Sequence, residues 1–210
     1  MSPKNLSYET NQINCKTPPH GITKSAKIPY SIAKNYLNCN FHADHPSEKW
    51  LTDVSEFKYF ESNQVKKLYL SAILDLANRR IVSFVVSDRN DNKLVFDTFD
   101  EVVHKEPNAH PLFHSDRGFQ YTSKQMNQRL KKFGMRQSMS RVAKCIDNGP
   151  MEGFLGMLKR EKYYRRQFTS RESLVSMIEK YIHYYNHGRY QRCLNSMTPL
   201  QVHQQLLSVV

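Results

Sequence analysis

Acidic residues are scarce in this sequence: 19 Asp and Glu stand against 31 Lys and Arg, a formal charge of +12 and an isoelectric point near 9.5 over 210 residues. A field of that sign favours polyanionic partners, nucleic acid first, and carries no information about fold. A basic surface that only aids solubility is the plainer reading of charge taken alone. Long apolar runs are also missing. No stretch reaches the roughly 18 apolar residues of a membrane span, and residues 1–15 lack a charged start followed by an apolar segment. The expectation is therefore a cytosolic chain with neither a membrane span nor a secretory signal. Paired cysteines are lacking too. Cys15, Cys39, Cys145 and Cys193 are scattered, with no Cys-x-x-Cys pair to suggest a redox motif or a zinc ribbon. Cys39, His42 and His45 stand three apart, but without a fourth ligand or a second cysteine a zinc knuckle is not expected there.

The length suits one substantial domain with a short appendage. Residues 1–45 are polar, with Pro18-Pro19-His20-Gly21, several lysines and little periodicity, and read as an extended basic arm or linker. Residues 46–210 read as the folded domain. Lys49–Phe57, Lys67–Leu76 and Arg80–Ser87 are strand-like, with a turn at Ala77-Asn78-Arg79, and suggest an antiparallel meander. Between Asp91 and His104, Leu94, Val95, Phe99, Val102 and Val103 fall near helical spacing, before the breaker Pro107. Pro111–Ser115 reads as a fourth strand, Ser123–Phe133 as a helix ended by Gly134, and Met135–Met139 as a fifth strand. A helix begins at Pro150 and another spans Arg171–Tyr185. The pattern is α/β, a mixed five-stranded sheet flanked by helices.

Three carboxylates stand out on this frame. Asp116 follows the apolar end of a strand and precedes Gly118, and Glu152 lies in the first turn of the helix opened by Asn148-Gly149-Pro150, with 35 residues between them. Asp53 sits inside a strand-like run. Two carboxylates on different elements hold a divalent cation when a third oxygen ligand joins them, because Mg²⁺ takes a few carboxylates plus water and phosphate oxygens. Each residue also has a plainer role: Glu152 as a carboxylate complementing a helix start, Asp116 as an Asx turn, Asp53 as a partner of a bulge or a lysine. Asp75, at a strand end, and Asp147, in a capping position beside Asn148, read as structural.

Six segments carry a resemblance in matching order from about Lys16 to the C-terminus: Trp50-Leu51-Thr52-Asp53-Val54, Leu68–Asp75, His114-Ser115-Asp116-Arg117-Gly118, Gln137–Arg141, Asp147–Glu152 and Tyr181–Asn186. Together they resemble the DDE catalytic core of the retroviral-integrase superfamily, most closely the OrfB-type transposases of insertion sequence family three. The resemblance implies an RNase H-like fold in a bacterial, nucleoid-associated protein of the cytoplasm. It implies that Asp53, Asp116 and Glu152 hold two Mg²⁺ or Mn²⁺ ions for in-line displacement on DNA. Water as nucleophile would nick a strand and a 3′-hydroxyl would transfer one. A plain RNase H-like nuclease and a catalytically idle DNA-binding remnant are the alternatives. The implied partners are transposon ends and target DNA, with the chain a homo-oligomer on DNA. Such relatives carry an upstream helical DNA-binding region for which the polar arm has no room, so the resemblance implies either that residues 1–45 are the remnant of a missing upstream region or that the chain acts with a separately encoded DNA-binding partner. Expected DNA contacts are His114, orienting a strand end, Lys159 and Lys162 beyond Glu152, and Arg189 and Arg192 in the basic loop Gly188–Arg192 around Tyr190.

Overall fold

The computed structural model describes residues 31–142 and 145–208. Its centre is a long hairpin, β1 (Lys49–Glu61) and β2 (Gln64–Asp75), paired antiparallel from Trp50↔Asp75 to Glu61↔Gln64. Ser62 and Asn63 between them both take positive φ, 49° and 60°, the backbone of the tight turn whose twist matches a hairpin. β3 (Ile81–Ser87) pairs antiparallel with β2, β4 (Leu112–Ser115) runs parallel beside β1, and β5 (Arg136–Met139) runs parallel beside β4. The sheet order is β3-β2-β1-β4-β5, mixed and five-stranded as expected.

Alternation along the strands sorts side chains to two faces, and each face is covered by helices. Trp50, Ile73 and Phe113 lie with Val95, Phe99 and Val102 of α1 (Asn92–Lys105) and Met126 and Leu130 of α2 (Lys124–Lys132). Leu51, Phe57, Leu68 and Leu70 lie with Met151, Phe154 and Leu158 of α3 (Gly149–Leu158) and Leu174, Ile178, Tyr181 and Tyr185 of α4 (Arg171–His187). Full burial of one such aromatic or branched side chain is worth about 1.5–3 kcal/mol, so both layers are held firmly to the sheet. Local signals set the helix ends. Asp91, Ser123 and Ser170 accept from the backbone N–H three residues on, and Gly134, at φ 65°, lets the chain leave α2 in the left-handed conformation. α3 runs on into a π-helical turn, Lys159–Tyr163, and α5 (Pro199–Ser208) closes the described chain.

Residues 1–30 of the expected arm lie outside the described residues. The remainder of that segment, 31–45, has no helix or strand, but it is not a free linker. Leu37 and Ala43 are buried, and the backbone N–H groups of Tyr36 and Leu37 donate to Ser138 Oγ on β5 at 2.9 and 3.1 Å. A segment without periodicity thus satisfies its backbone through side chains of the sheet, which no local pattern announces. Among the described residues no helix is long and apolar enough to cross a membrane.

Candidate active site

The parallel pairing of β1 and β4 ends at Leu51↔His114, and the same register carried two residues further sets Asp53 level with Asp116. There β4 has ended at Ser115, so Asp116 lies just beyond the paired strands. Asp116 is an exposed residue in a turn. Its Oδ1 accepts from Gly118 N–H at 2.8 Å, and a Cβ at Gly118 would stand 3.0 Å from that oxygen and from Gln120 Oε1, so glycine gives the turn its room. Loss of water around the carboxyl group raises its pKa. Asp53 is half-buried, accepts the Val54 N–H at 2.8 Å, and is pushed up to about 7, first by burial and then by the charge of Asp116, with Glu152 adding to it.

Glu152 reaches this neighbourhood because α3 is tied to β1. Asn148 Nδ2 donates to Thr52 O at 3.2 Å, one residue before Asp53, and Met151 and Phe154 fill the core beneath. Glu152 itself is exposed. Among the described residues its carboxylate takes no hydrogen bond, so it does not serve as a cap, and partial burial lifts its pKa. The three carboxylates share one electrostatic neighbourhood. As they stand, and among the described residues, no three Asp, Glu, His or Cys side chains enclose a single ion. Like charges with no cation between them have every reason to stay apart. The donor set is nonetheless one for a hard divalent cation: it is all oxygen, and the burial and neighbouring negative charge that push Asp53 up to about 7 are what a bound cation would offset.

Lys159 stands closer to this centre than an exposed basic face would put it. It is half-buried, with Nζ 5.0 Å from the Phe57 ring centre; burial lowers its pKa, and the charges of Asp53 and Glu56 oppose that shift. Lys162 lies further along, partly exposed in the π-helical turn. His114 is a correction. It is fully buried, its ring nitrogens 2.8 Å from Ser138 Oγ and 3.1 Å from Ser140 Oγ, and desolvation drops its pKa to about 4, so it faces no DNA. Arg189 is also committed elsewhere, its guanidinium 2.7 Å from Glu161 Oε1 while Tyr181 OH donates to Oε2 of the same carboxylate at 3.0 Å. Arg192 is exposed and unpaired among the described residues.

Asp75 and Asp147 behave as structural groups, one of them by an unexpected route. Asp75, raised to about 6 by burial, accepts from the backbone of Ser47 and Ala77. Asp147 does not cap α3; it binds Arg141 and residues of the 31–45 segment. Two residues escaped the reading of the sequence. Tyr121 is buried beside the site, its hydroxyl 3.1 Å from Thr52 Oγ1, with its pKa raised by burial and by Asp53 and Asp116. Asn148 reads in sequence as punctuation before Gly149. Its amide bond to β1 is a long-range contact with no local signature.

The integrase core domain family matches residues 43–145 and again residues 152–207. A transposase-like protein of Haemophilus influenzae is 40% identical over 177 residues, which is 84% of this chain and 80% of that protein. The chain belongs to the integrase core domain family. A second relative, the putative transposase InsK for insertion sequence element IS150 of Escherichia coli, is 38% identical over 174 residues; the match covers 82% of this chain but 60% of InsK. Among solved structures, the catalytic core domain of HTLV-2 integrase, in complex with magnesium, overlays with a TM-score of 0.57 at 18% identity, covering 76% of this chain and 97% of that one. The likeness is one of fold, and it identifies the mixed sheet of this integrase core as RNase H-like.

Proposed function

We propose that this integrase core is a DDE-type transposase, which cleaves DNA strands and joins their 3′ ends to a target through Asp53, Asp116 and Glu152. The observation that carries the reading is a half-buried Asp53 on β1 that feels the charge of Asp116, just past the end of the neighbouring strand β4, and of Glu152 on α3. Asp53, Asp116 and Glu152 would hold two Mg²⁺ or Mn²⁺ ions, which when bound supply charge for the attacking and leaving oxygens of an in-line displacement. The chain's own part is positional. Asp53 is fixed by β1, whereas among the described residues the Asp116 carboxylate has one hydrogen bond, within its own turn, and that of Glu152, on the first turn of α3, has none. Lys159 supplies a fixed cation beside the carboxylates, suited to a phosphate of the bound strand. The +12 charge favours DNA, with Lys162 and Arg192 as outlying phosphate contacts.

The substrates on this reading are transposon ends and target DNA, as the names of InsK and the Haemophilus protein suggest, and the active form is a homo-oligomer assembled on DNA. A separately made DNA-binding partner and residence at the nucleoid belong to the same proposal. One assay tests it: transposon-end DNA, pre-nicked and intact, incubated with the protein and Mg²⁺. Joined products support a transposase, hydrolysis alone a nuclease, and binding alone an inactive core.

A further inference from the structure

Asp147 is a buried carboxylate that the chemistry above does not use, and five donors converge on it. Arg141 gives three: its backbone N–H at 2.8 Å and its Nε at 3.0 Å to Oδ2, and Nη2 at 2.8 Å to Oδ1. The other two come from more than a hundred residues away in sequence. Asn35 Nδ2 donates to Oδ2 at 3.0 Å and Cys39 Sγ to Oδ1 at 3.2 Å. Asn35 is itself held, its Oδ1 accepting Asn38 N–H at 2.8 Å as the chain turns through positive φ at Asn38 and Cys39. Asp147 directly precedes Asn148, whose amide fixes the start of α3 on β1.

The same short segment touches the support of a second carboxylate. Ser138 Oγ accepts the N–H groups of both Tyr36 and Leu37, so its own proton goes to His114 Nδ1, and His114 Nε2–H then donates to Ser140 Oγ. His114 is the last β4 residue paired with β1, two positions before Asp116. Residues 35–39 therefore bind, on one side, Asp147, which leads into α3, and, on the other, Ser138 of β5, whose hydroxyl contacts His114 two positions before Asp116.

We infer that residues 35–39 form a strap that positions two of the three carboxylates, Glu152 through Asp147 and Asp116 through Ser138 and His114. Asn35 and Asp147 are its positioning residues. The inference rests on the proposed role of Glu152 and Asp116. Its physical logic is that neither carboxylate is anchored by its own neighbours: Glu152 has no hydrogen bond among the described residues, and Asp116 only its own turn. The elements that carry them must be held instead, because loss of placement by a fraction of an ångström is costly in a site that works by orientation.

The test is Asn35→Asp in the full chain. The change keeps shape and the Oδ1 acceptor for Asn38, but removes the donor to Asp147 and sets a like charge against it. Hydrogen exchange would be followed at the amides of Gly153, Phe154 and Leu155, the first to bond back into the opening turn of α3. Loss of one charge-assisted hydrogen bond corresponds to exchange there faster by about tenfold or more, with β1–β2 amides unchanged. In the DNA assay, kcat should fall by about the same factor and half-saturating Mg²⁺ should rise, with KM for DNA within about twofold. Asn35→Ala, which removes the donor without adding charge, should give the same pattern at smaller size. Unaltered α3 exchange would overturn the inference, and so would exchange raised evenly over the sheet, the mark of plain destabilisation. Exchange needs neither DNA nor metal, so a wild-type chain that joins no DNA would sink the proposed function while the strap is judged on exchange alone.

Discussion

Replacing Asp53 by asparagine should make the metal-free protein more stable while abolishing its reaction. Asp53 is raised from 3.8 to about 7 in the native state, mainly by burial and then by Asp116. A shift of about three units corresponds to about 4 kcal/mol at most, and partial exposure with Lys159 nearby brings the expected gain down to about 1–3 kcal/mol. The sign follows from proton binding. Between about pH 4 and 7 the native state holds a proton that the unfolded chain has released, so stability declines as pH rises through that window and stays level above it. The asparagine side chain does not ionise, and Asp53→Asn keeps the oxygen that accepts Val54 N–H. The variant's advantage should be full at about pH 8 and vanish near pH 4.

Trp50 makes the measurement simple, since it is the only tryptophan and is fully buried against the sheet. Its fluorescence during urea unfolding gives both stabilities at each pH. Saturating Mg²⁺ should reverse the order, because a ligand that binds the native state at about a hundred times its Kd adds about 2.7 kcal/mol to the wild type and little to the variant. If Asp53→Asn were no more stable than wild type at about pH 8, or equally stabilised by Mg²⁺, the crowding of negative charge around Asp53 would be refuted as the basis of the site.

Three further outcomes follow. Glu152→Gln should reduce strand joining by orders of magnitude with DNA binding intact, read by gel assay and by fluorescence anisotropy. Arg192→Ala should lower the salt dependence of DNA affinity by about one released counterion, whereas Arg189→Ala should leave that slope alone and cost about 1 kcal/mol of stability through the lost Glu161 pair. Because His114 is lowered to about 4, the unfolded chain takes up a proton between about pH 6.5 and 4 that the native state refuses, and stability should be lost as pH falls through that range. His114→Gln, compared with wild type by urea titration at about pH 7 and about pH 4.5, should show a smaller acid loss.

The sheet was legible because its evidence is local. Arg80–Ser87 announces itself by β-branched and aromatic content and Lys67–Leu76 by its apolar run, with a turn between them, and both are strands at nearly the expected bounds. β1 runs to Glu61, four residues past its expected end, because Ser62-Asn63 forms the hairpin turn without the glycine that usually advertises one. α5 carries a signal just as local, though the expected elements stop short of it. Thr198 Oγ1 accepts from Gln201 N–H while Gln201 Oε1 accepts from Thr198 N–H, a reciprocal cap written plainly as Thr198-Pro199-Leu200-Gln201.

The basic and titratable residues were harder to read, because charge in a sequence does not say where a side chain ends up. Arg189 and Arg192 are three apart in one loop, yet Glu161 claims the first and leaves the second in water. His114 looks like a site residue by its place next to Asp116, but strand alternation and two serines, Ser138 and Ser140, turn it inward. Lys159 is half-buried over the Phe57 ring and within the field of Asp53, a placement that its position in the sequence does not announce. In each case the deciding partner lies on a different element, 24 residues away for His114 and Ser138 and 112 for Asp147 and Asn35. A short motif can therefore nominate the three carboxylates, whereas the groups that hold them in place are specified by pairings that exist only once β1, β4, β5 and the 35–39 segment have come together.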